Sequence, residues 1–257
     1  MPLDDSPVND EPHPYFERPL SHSRLWRYLD LPKYLAMLSS SSLWLARADQ
    51  LGDPFEGSMS SANVRLRGEV YEDKIPVSAL EQLAAYRAQE LLHTYVSCWH
   101  ENEYESAGMW RLYMSGHGIA VQTNYDRIRR ALEYQSEIFV GRVRYVDYDT
   151  YWIPEDNMMA PFLHKRLSFQ HEREVRAIVN DFNRKPGRPS DEVGTGLDPN
   201  SPPVGVSVAA DLDLLIEQVR VSPEAPSWFA DVVSDASRRY GHLFPVAQSE
   251  LTVDPVY

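Results

Sequence analysis

Two glutamates and an arginine stand at the start of a segment that is otherwise apolar. Glu172, Glu174 and Arg176 are followed by Ala-Ile-Val through residue 179. If residues 172–179 form a strand, its period of two places the three charged side chains on one face and Val175, Ala177 and Val179 on the other. Charges on a buried strand are costly unless they are paired or used in chemistry. The sequence therefore predicts a charged site at the start of a buried strand.

Short strand-like and helix-like segments alternate along the rest of the chain. A strand over residues 24–29 leads into a helix that Asp30 can cap, and a second strand follows at 43–46. The apolar spacing over residues 78–93 predicts a helix, which we interpret as an insertion. This mixed order favours the α+β class, with a mixed β-sheet core and short helices packed around it.

The domain organisation follows from length and local composition. Residues 1–22 are rich in Pro, Asp and Glu and are predicted to be a disordered N-terminal tail. Residues 23–257 are predicted to form a single α+β domain, with a flexible loop near 183–203. Within it, we expect residues 58–75 to be irregular and residues 155–165 to be helical.

The net charge and the cysteine content indicate which binding partners and which cellular compartment to expect. The net charge of −13 opposes non-specific binding to a nucleic-acid backbone, which depends on Lys and Arg, but leaves room for a local basic pocket. No apolar run approaches the roughly 20 residues that span a bilayer, and the N-terminus lacks a signal-peptide pattern. A single cysteine, Cys98, fits a reducing compartment. We expect a cytoplasmic protein without a membrane partner; the oligomeric state is not indicated.

Three further groups of residues are candidates for a site. Asp53 and Glu56 lie in a turn after the second strand, with Phe55 expected as an inward anchor. Arg27 lies on an apolar strand face, where its guanidinium needs a protein carboxylate or a ligand phosphate. Trp110 and Tyr113 share one face of a short helix and either pack in the core or stack on a flat ligand. Because the histidines lack metal-ligand spacing, no metal is assigned.

Taken in order, the motifs define a family resemblance. They are Trp26-Arg-Tyr28, Gly-Asp-Pro-Phe-Glu56, Ser-Cys-Trp99, Met-Trp-x-x-Tyr113, Lys165 and Glu-x-Glu-x-Arg176. Over residues 24–250 the chain resembles a widespread bacterial family that carries only the label of a domain of unknown function. It departs from that family at Gly52, where Asn is usual, and at Phe169, where Trp is common.

A second resemblance concerns mechanism. A first strand bearing Arg27, a short helix, a second strand and a late strand opening on Glu174 is similar to the ADP-ribosyltransferase layout, closest to the branch that modifies nucleic acid. The resemblance implies that Glu174 is the catalytic carboxylate and that Arg27 contacts the phosphates or ribose of NAD. A carboxylate can stabilise the oxocarbenium-like charge that forms when nicotinamide leaves. The catalytic candidates are Glu174, Glu172 and Arg27, and the candidates for binding the nucleotide are Arg27, Tyr28, Trp44, Asp53, Glu56, Trp110, Tyr113, Lys165 and Arg176.

The implied function is an ADP-ribosyltransferase-like enzyme that uses NAD to modify a nucleic-acid or protein acceptor, as a toxin or a phage-defence effector. Its small-molecule partner would be the nucleotide. Burial of Glu174 beside Arg27 in an open cleft would favour this function.

Two other function classes stay open. A metal-dependent phosphodiesterase or nuclease would hold a hard cation with Asp53, Glu56, Glu172 and Glu174, although the guanidinium of Arg176 would compete with the metal. A non-catalytic binding module would instead use the charged motif residues as an internal salt-bridge network. That network would consist of Arg27, Arg176, Asp53, Glu56 and Glu174.

Overall fold

The computed structural model describes residues 16–253 except 73, 75, 115, 133–137 and 182–201. Its strands are β1 (Arg24–Asp30), β2 (Ser42–Arg47), β3 (Thr94–Glu101), β4 (Gly118–Asn124), β5 (Phe139–Arg142), β6 (Arg144–Val146), β7 (His164–Arg166), β8 (Glu174–Asn180), β9 (Gly205–Ala209), β10 (Gln218–Val221) and β11 (Val246–Gln248). Its α-helices are α1 (Leu31–Ser40), α2 (Ser61–Val70), α3 (Val77–His93), α4 (Ala107–Tyr113), α5 (Tyr125–Ala131), α6 (Leu212–Leu215) and α7 (Trp228–Arg239).

Nine of these strands form one mixed sheet that forks at β3. The path runs β11-β10-β4-β1-β3-β2-β9, while β8 pairs with the other edge of β3 and β5 pairs with β8. Along the shared edge, β1 pairs only with the end of β3 and β2 only with its beginning. The two strands therefore diverge beside the middle of β3. Strands β10 and β11 are parallel, and β6 and β7 form a separate parallel pair.

The two faces of the sheet have different coverings. One face, which we call the core face, carries Leu25, Tyr95, Trp99 and Val175 and packs against α1, α5, α6 and α7 in the largest apolar cluster. The opposite face, which we call the site face, carries two smaller clusters. One contains Trp26 and Trp110, and the other joins Val96 and Ile178 to Phe16, Phe162 and Leu163.

The predicted α+β class is confirmed, and so is the β1–α1–β2 unit. The side chain of Asp30 accepts a hydrogen bond from the backbone N–H of Lys33 at 2.7 Å, and Pro32 stands in the first turn of α1. Residues 78–93 lie within α3, as predicted.

Two local predictions are wrong. Residues 58–75 are not irregular throughout, because Ser60 caps α2 with its hydroxyl and the helix covers Ser61–Val70. Residues 155–165 do not form one helix. A short 3₁₀ segment, Ala160–Leu163, passes directly into β7, which pairs with β6.

The described part of the predicted N-terminal tail, residues 16–22, is packed on the protein. Phe16 is buried in the site-face cluster that contains Val96 and Ile178. The backbone carbonyl of Glu17 accepts a hydrogen bond from the backbone N–H of Arg142 at 2.8 Å. The rest of that tail lies outside the described residues, as does the predicted loop from 183 to 201. No helix among the described residues is both long and apolar enough to cross a membrane.

Candidate functional site

A fully buried guanidinium forms the base of the charged cluster on the site face. Arg176 donates from Nε to Glu174 at 2.7 Å and from Nη1 and Nη2 to the two carboxylate oxygens of Glu56 at 2.5 and 3.0 Å. A further hydrogen bond of 2.7 Å reaches the carbonyl oxygen of Phe162. Burial of an arginine requires this degree of pairing. The charge-assisted pair with Glu56 has the bidentate geometry that guanidinium favours.

The ammonium group of Lys165 joins two carboxylates above Arg176. Lys165 Nζ donates to Glu174 Oε1 at 2.7 Å and makes a second, shorter ion pair with Glu172 Oε2. All three side chains are at least nine-tenths buried. Glu174 is therefore held by a cation on each of its oxygens, whereas Glu172 shares only Lys165.

The backbone between the two glutamates corrects the predicted strand pattern. Glu172 ends a 3₁₀ segment, Arg173 has left-handed backbone angles (φ 42°, ψ 54°), and β8 begins only at Glu174. The left-handed residue, rather than strand alternation, brings both carboxylates to Lys165. Two hydrogen bonds hold the backbone on either side of Arg173. His100 Nδ1 donates to the carbonyl of Glu172 at 2.6 Å, and the hydroxyl of Tyr145 accepts from the backbone N–H of Glu174 at 2.8 Å.

The two carboxyl groups differ in pKa. Burial raises the pKa of Glu172, and its hydrogen-bonding contact with Glu174 raises it further. Burial acts in the same sense on Glu174, but the charges of Arg176 and Lys165 outweigh it and hold the pKa of Glu174 well below its usual range. A neighbouring pair of carboxyl groups with pKa values moved apart is the pattern that separates acid–base roles in enzymes.

Glu172 is the member of the pair that is connected to the surface. The hydroxyl of Tyr113 donates to Glu172 Oε1 at 2.8 Å, and the Tyr113 side chain is 48% exposed.

Cys98 lies beside Glu174 and is half-buried. Burial first, and the carboxylate of Glu174 second, raise the pKa of the Cys98 thiol, which favours its neutral form.

An aromatic and cationic rim, formed by Phe55, Arg166 and Phe169, adjoins this cluster and was missed by the sequence analysis. The guanidinium of Arg166 lies 4.1 Å from the ring centre of Phe55 and 5.3 Å from that of Phe169. Its Nη2 donates to Asp53 at 2.7 Å. Phe55 was expected to point inward, but it is 44% exposed, because its partner is the stacked arginine rather than the core. The signal in the sequence was Arg166 itself, directly after Lys165.

Arg27 is not part of this cluster. Directly opposed residues on neighbouring strands share a sheet face. Cys98 opposes Arg176, and His100 opposes both Glu174 and Trp26, so these side chains lie on the site face. Arg27, next to Trp26, points to the core face.

There Arg27 occupies the fork beside β3. It donates to Ser97 Oγ at 2.5 Å and to the carbonyl of Trp44 at 2.9 Å, and it lies 5.7 Å from the ring centre of Trp99. Arg27 and Glu174 therefore do not lie side by side in one cleft, and this condition, which would have favoured the transferase function, is not met.

The remaining predicted binding residues have separate positions. Tyr28 and Trp110 are buried edge to face, 5.0 Å between ring centres, and their polar atoms bond to Ser106 and Glu105 respectively. Both are packing residues here. Trp44 is 45% exposed and lies over Gly205, where a Cβ atom would collide with its ring. Of the predicted residues, the structure brings together Glu56, Tyr113, Lys165, Glu172, Glu174 and Arg176, with Asp53 at the adjoining rim.

The four carboxylates proposed for a metal site each face a protein cation instead. Glu56 pairs with Arg176, Asp53 with Arg166, and Glu172 and Glu174 with Lys165. The space between the two central carboxylates is thus filled by an ammonium group. Within the described residues, no group of three or more His, Cys, Asp and Glu side chains is arranged to hold a metal ion.

Comparison of the chain with protein-family models, with curated proteins and with solved structures found no match. The two resemblances drawn from the motifs therefore stay predictions.

Proposed function

We propose that this protein is an ADP-ribosyltransferase-like enzyme that cleaves the bond between nicotinamide and ribose in NAD and transfers the ADP-ribosyl group to a macromolecule. The observation that supports this proposal is the Glu172–Glu174 pair, whose two pKa values are moved in opposite directions around a shared ammonium group. Glycoside hydrolysis, which also passes through an oxocarbenium-like sugar, canonically uses a pair of carboxyl groups that have different roles.

The roles follow from the environment of each carboxyl group. Glu174, ionised between Arg176 and Lys165, supplies fixed negative charge that opposes the positive charge developing on the ribose as the carbon–nitrogen bond breaks. The bonding electron pair leaves with nicotinamide. Glu172, with its raised pKa and its link to the surface through Tyr113, takes the proton that the acceptor group loses as it bonds to the same carbon. Arg27 has no part in this assignment.

The proposal extends to compartment and biological setting. A cytoplasmic enzyme agrees with the single cysteine of the chain, Cys98. An effector of a toxin or phage-defence system would act there on a nucleic-acid or protein acceptor, and these settings belong to the same proposal.

The test is nicotinamide release from NAD by the purified protein, with wild type compared with Glu172→Gln and with Glu103→Gln. Glu103 is an exposed glutamate outside the cluster, so its variant is a matched control. Loss of a general base lowers the rate by about 10²- to 10⁴-fold. We expect that loss in Glu172→Gln only. Equal rates in Glu172→Gln and wild type would refute the proposed role of the pair, and absence of release with every acceptor tried would refute the enzymatic function.

A different observation favours a second function class, the non-catalytic module. Every carboxylate and every cation in the cluster around Arg176 already has a partner inside the protein. Such networks often serve structure alone. In that case Glu172→Gln would change the unfolding free energy, and wild type would release no nicotinamide.

A further inference from the structure

The rim of Phe55, Arg166 and Phe169 has hydrogen-bonding capacity that its contacts within the described residues do not use. Arg166 has one third of its side chain exposed, and its single hydrogen-bond acceptor among the described residues is Asp53, through Nη2. Nη1 is left without an acceptor in that part of the chain. A guanidinium that is held in place at one nitrogen and open at another is suited to receive a phosphate.

The two aromatic rings near the guanidinium of Arg166 add a second kind of recognition. Phe55 is 44% exposed, and Phe169 is half-buried with Lys165 Nζ 4.6 Å from its ring centre. Binding of a phosphate or carboxylate group would need only the cation. The exposed ring of Phe55, beside the cation, provides flat apolar surface on which a nucleobase can stack.

One turn ties this rim to the carboxylate pair. Asp53 holds Arg166 and Phe55 stacks on it, while Glu56, next in the chain, holds Arg176 underneath Glu174. Strand β7 likewise contributes one residue to each place. Lys165 bonds to the carboxylate pair, and its neighbour Arg166 belongs to the rim. The rim is therefore adjacent to the proposed reaction centre and shares its supporting elements.

The net charge of the protein selects among ligands of this chemistry. At −13, the chain repels a long polyanion, whose affinity grows with the number of phosphates neutralised by Lys and Arg. One open arginine beside two aromatic rings matches a single nucleotide better than a nucleic-acid strand.

We propose that Arg166, stacked on Phe55 and flanked by Phe169, binds a phosphate and the base of a single nucleotide, an inference that rests on the nucleotide chemistry proposed for the Glu172–Glu174 pair. The rim then determines specificity for the adenosine diphosphate part of the substrate. The carboxylate pair acts at the other end of the NAD molecule, on the ribose that is bonded to nicotinamide.

The test is calorimetric titration of ADP-ribose into wild type, Arg166→Gln, Phe55→Leu and the control Arg238→Gln. Arg238 is an exposed arginine paired with Asp235 on α7, far along the chain from the rim. We expect the dissociation constant to rise about 10-fold or more in Arg166→Gln, since a hydrogen bond to a charged group is lost. A rise of roughly 5-fold is expected in Phe55→Leu from the loss of stacking.

Phe55→Leu keeps the test decisive if Arg166→Gln, which leaves the buried Asp53 without its cation, fails to fold. Unchanged affinity in a folded Arg166→Gln or in Phe55→Leu would overturn the proposal, as would absence of ADP-ribose binding to wild type. Binding of a labelled single-stranded oligonucleotide that is tighter than binding of ADP-ribose and that is lost in Arg166→Gln would also overturn it. Binding that depends on Arg166 without any nicotinamide release would support the rim and refute the proposed reaction, so the two failures can be told apart.

Discussion

Arg27 and Glu174 point to opposite faces of the same sheet. The two residues lie on β1 and β8, each paired with β3, and the registers of those pairs place Arg27 with Ser97 and Trp99 but Glu174 with Cys98 and His100. The backbone of the sheet therefore separates the guanidinium of Arg27 from the carboxylate of Glu174. The role of Arg27 is to close the fork between β1 and β2.

Arg27→Ala is therefore expected to lower stability without changing the chemistry of the site. The substitution removes hydrogen bonds to Ser97 and to the carbonyl of Trp44, which together cost about 1–3 kcal/mol of unfolding free energy. Urea unfolding measures this loss, with the exposed Arg24 on the same strand, changed to Ala, as the control. A variant of unchanged stability that had lost NAD turnover would contradict this assignment.

Arg176→Met is expected to be the most destabilising substitution in the cluster. It leaves the buried carboxylates of Glu56 and Glu174 without their shared cation, and removal of one member of a buried ion pair costs about 3–5 kcal/mol. For the exposed pair of Arg238 and Asp235, Arg238→Met should cost about 0–1 kcal/mol. Chemical denaturation of both variants gives the comparison. Similar losses for the two would show that the buried network contributes no more than a surface pair.

The pKa of Glu174 predicts a loss of stability in acid. Because the pKa is held well below its ordinary value of 4.5 in the folded protein, the unfolded chain binds this proton more readily. Stability from Glu174 is thus present above that ordinary value and is lost as the pH falls towards the folded-state pKa. Unfolding free energies measured from about pH 7 to about pH 3 should fall less steeply in Glu174→Gln than in wild type. Identical slopes in this acid range would show that Glu174 is not held ionised by Arg176 and Lys165.

Tyr113→Phe is expected to move the pH profile of the proposed reaction. Glu172 must lose its proton before it can accept one, so the rate rises with pH through the pKa of Glu172. The hydroxyl of Tyr113 stabilises the charged form, and its removal should raise that pKa further. Rate measurements across pH, with the exposed Tyr104 changed to Phe as control, check the shift. A lower rate with an unshifted profile would limit Tyr113 to a role in packing.

The sequence was sufficient to predict the parts of the fold that depend on local rules. Asp30 caps α1 because its side chain and the following proline are strong signals for a helix start. The charges at Glu172, Glu174 and Arg176 were correctly expected to need partners, because burial of unpaired charge is costly in any fold.

Features that depend on long-range register could not be predicted in the same way. Whether Arg27 and Glu174 share a face depends on how β1 and β8 each align with β3, and no local pattern in either strand contains that information. The left-handed backbone conformation of Arg173 could not be expected, since residues other than Gly, Asn and Asp rarely adopt it. Arg166 was overlooked because its partners Asp53 and Phe55 are more than a hundred residues away in sequence.

The turn from Asp53 to Glu56 also limits how the chain can vary in length. Exposed turns normally accept inserted residues, because few contacts depend on their spacing. Here Asp53 forms an ion pair with Arg166 at the surface. Three positions later, Glu56 forms an ion pair with Arg176 in the interior. Gly57 then follows with a φ of 66°, and a Cβ atom at this position would collide with the ring of Phe162. One inserted residue would release one arginine or the other, so this surface turn is as intolerant of insertion as a core strand.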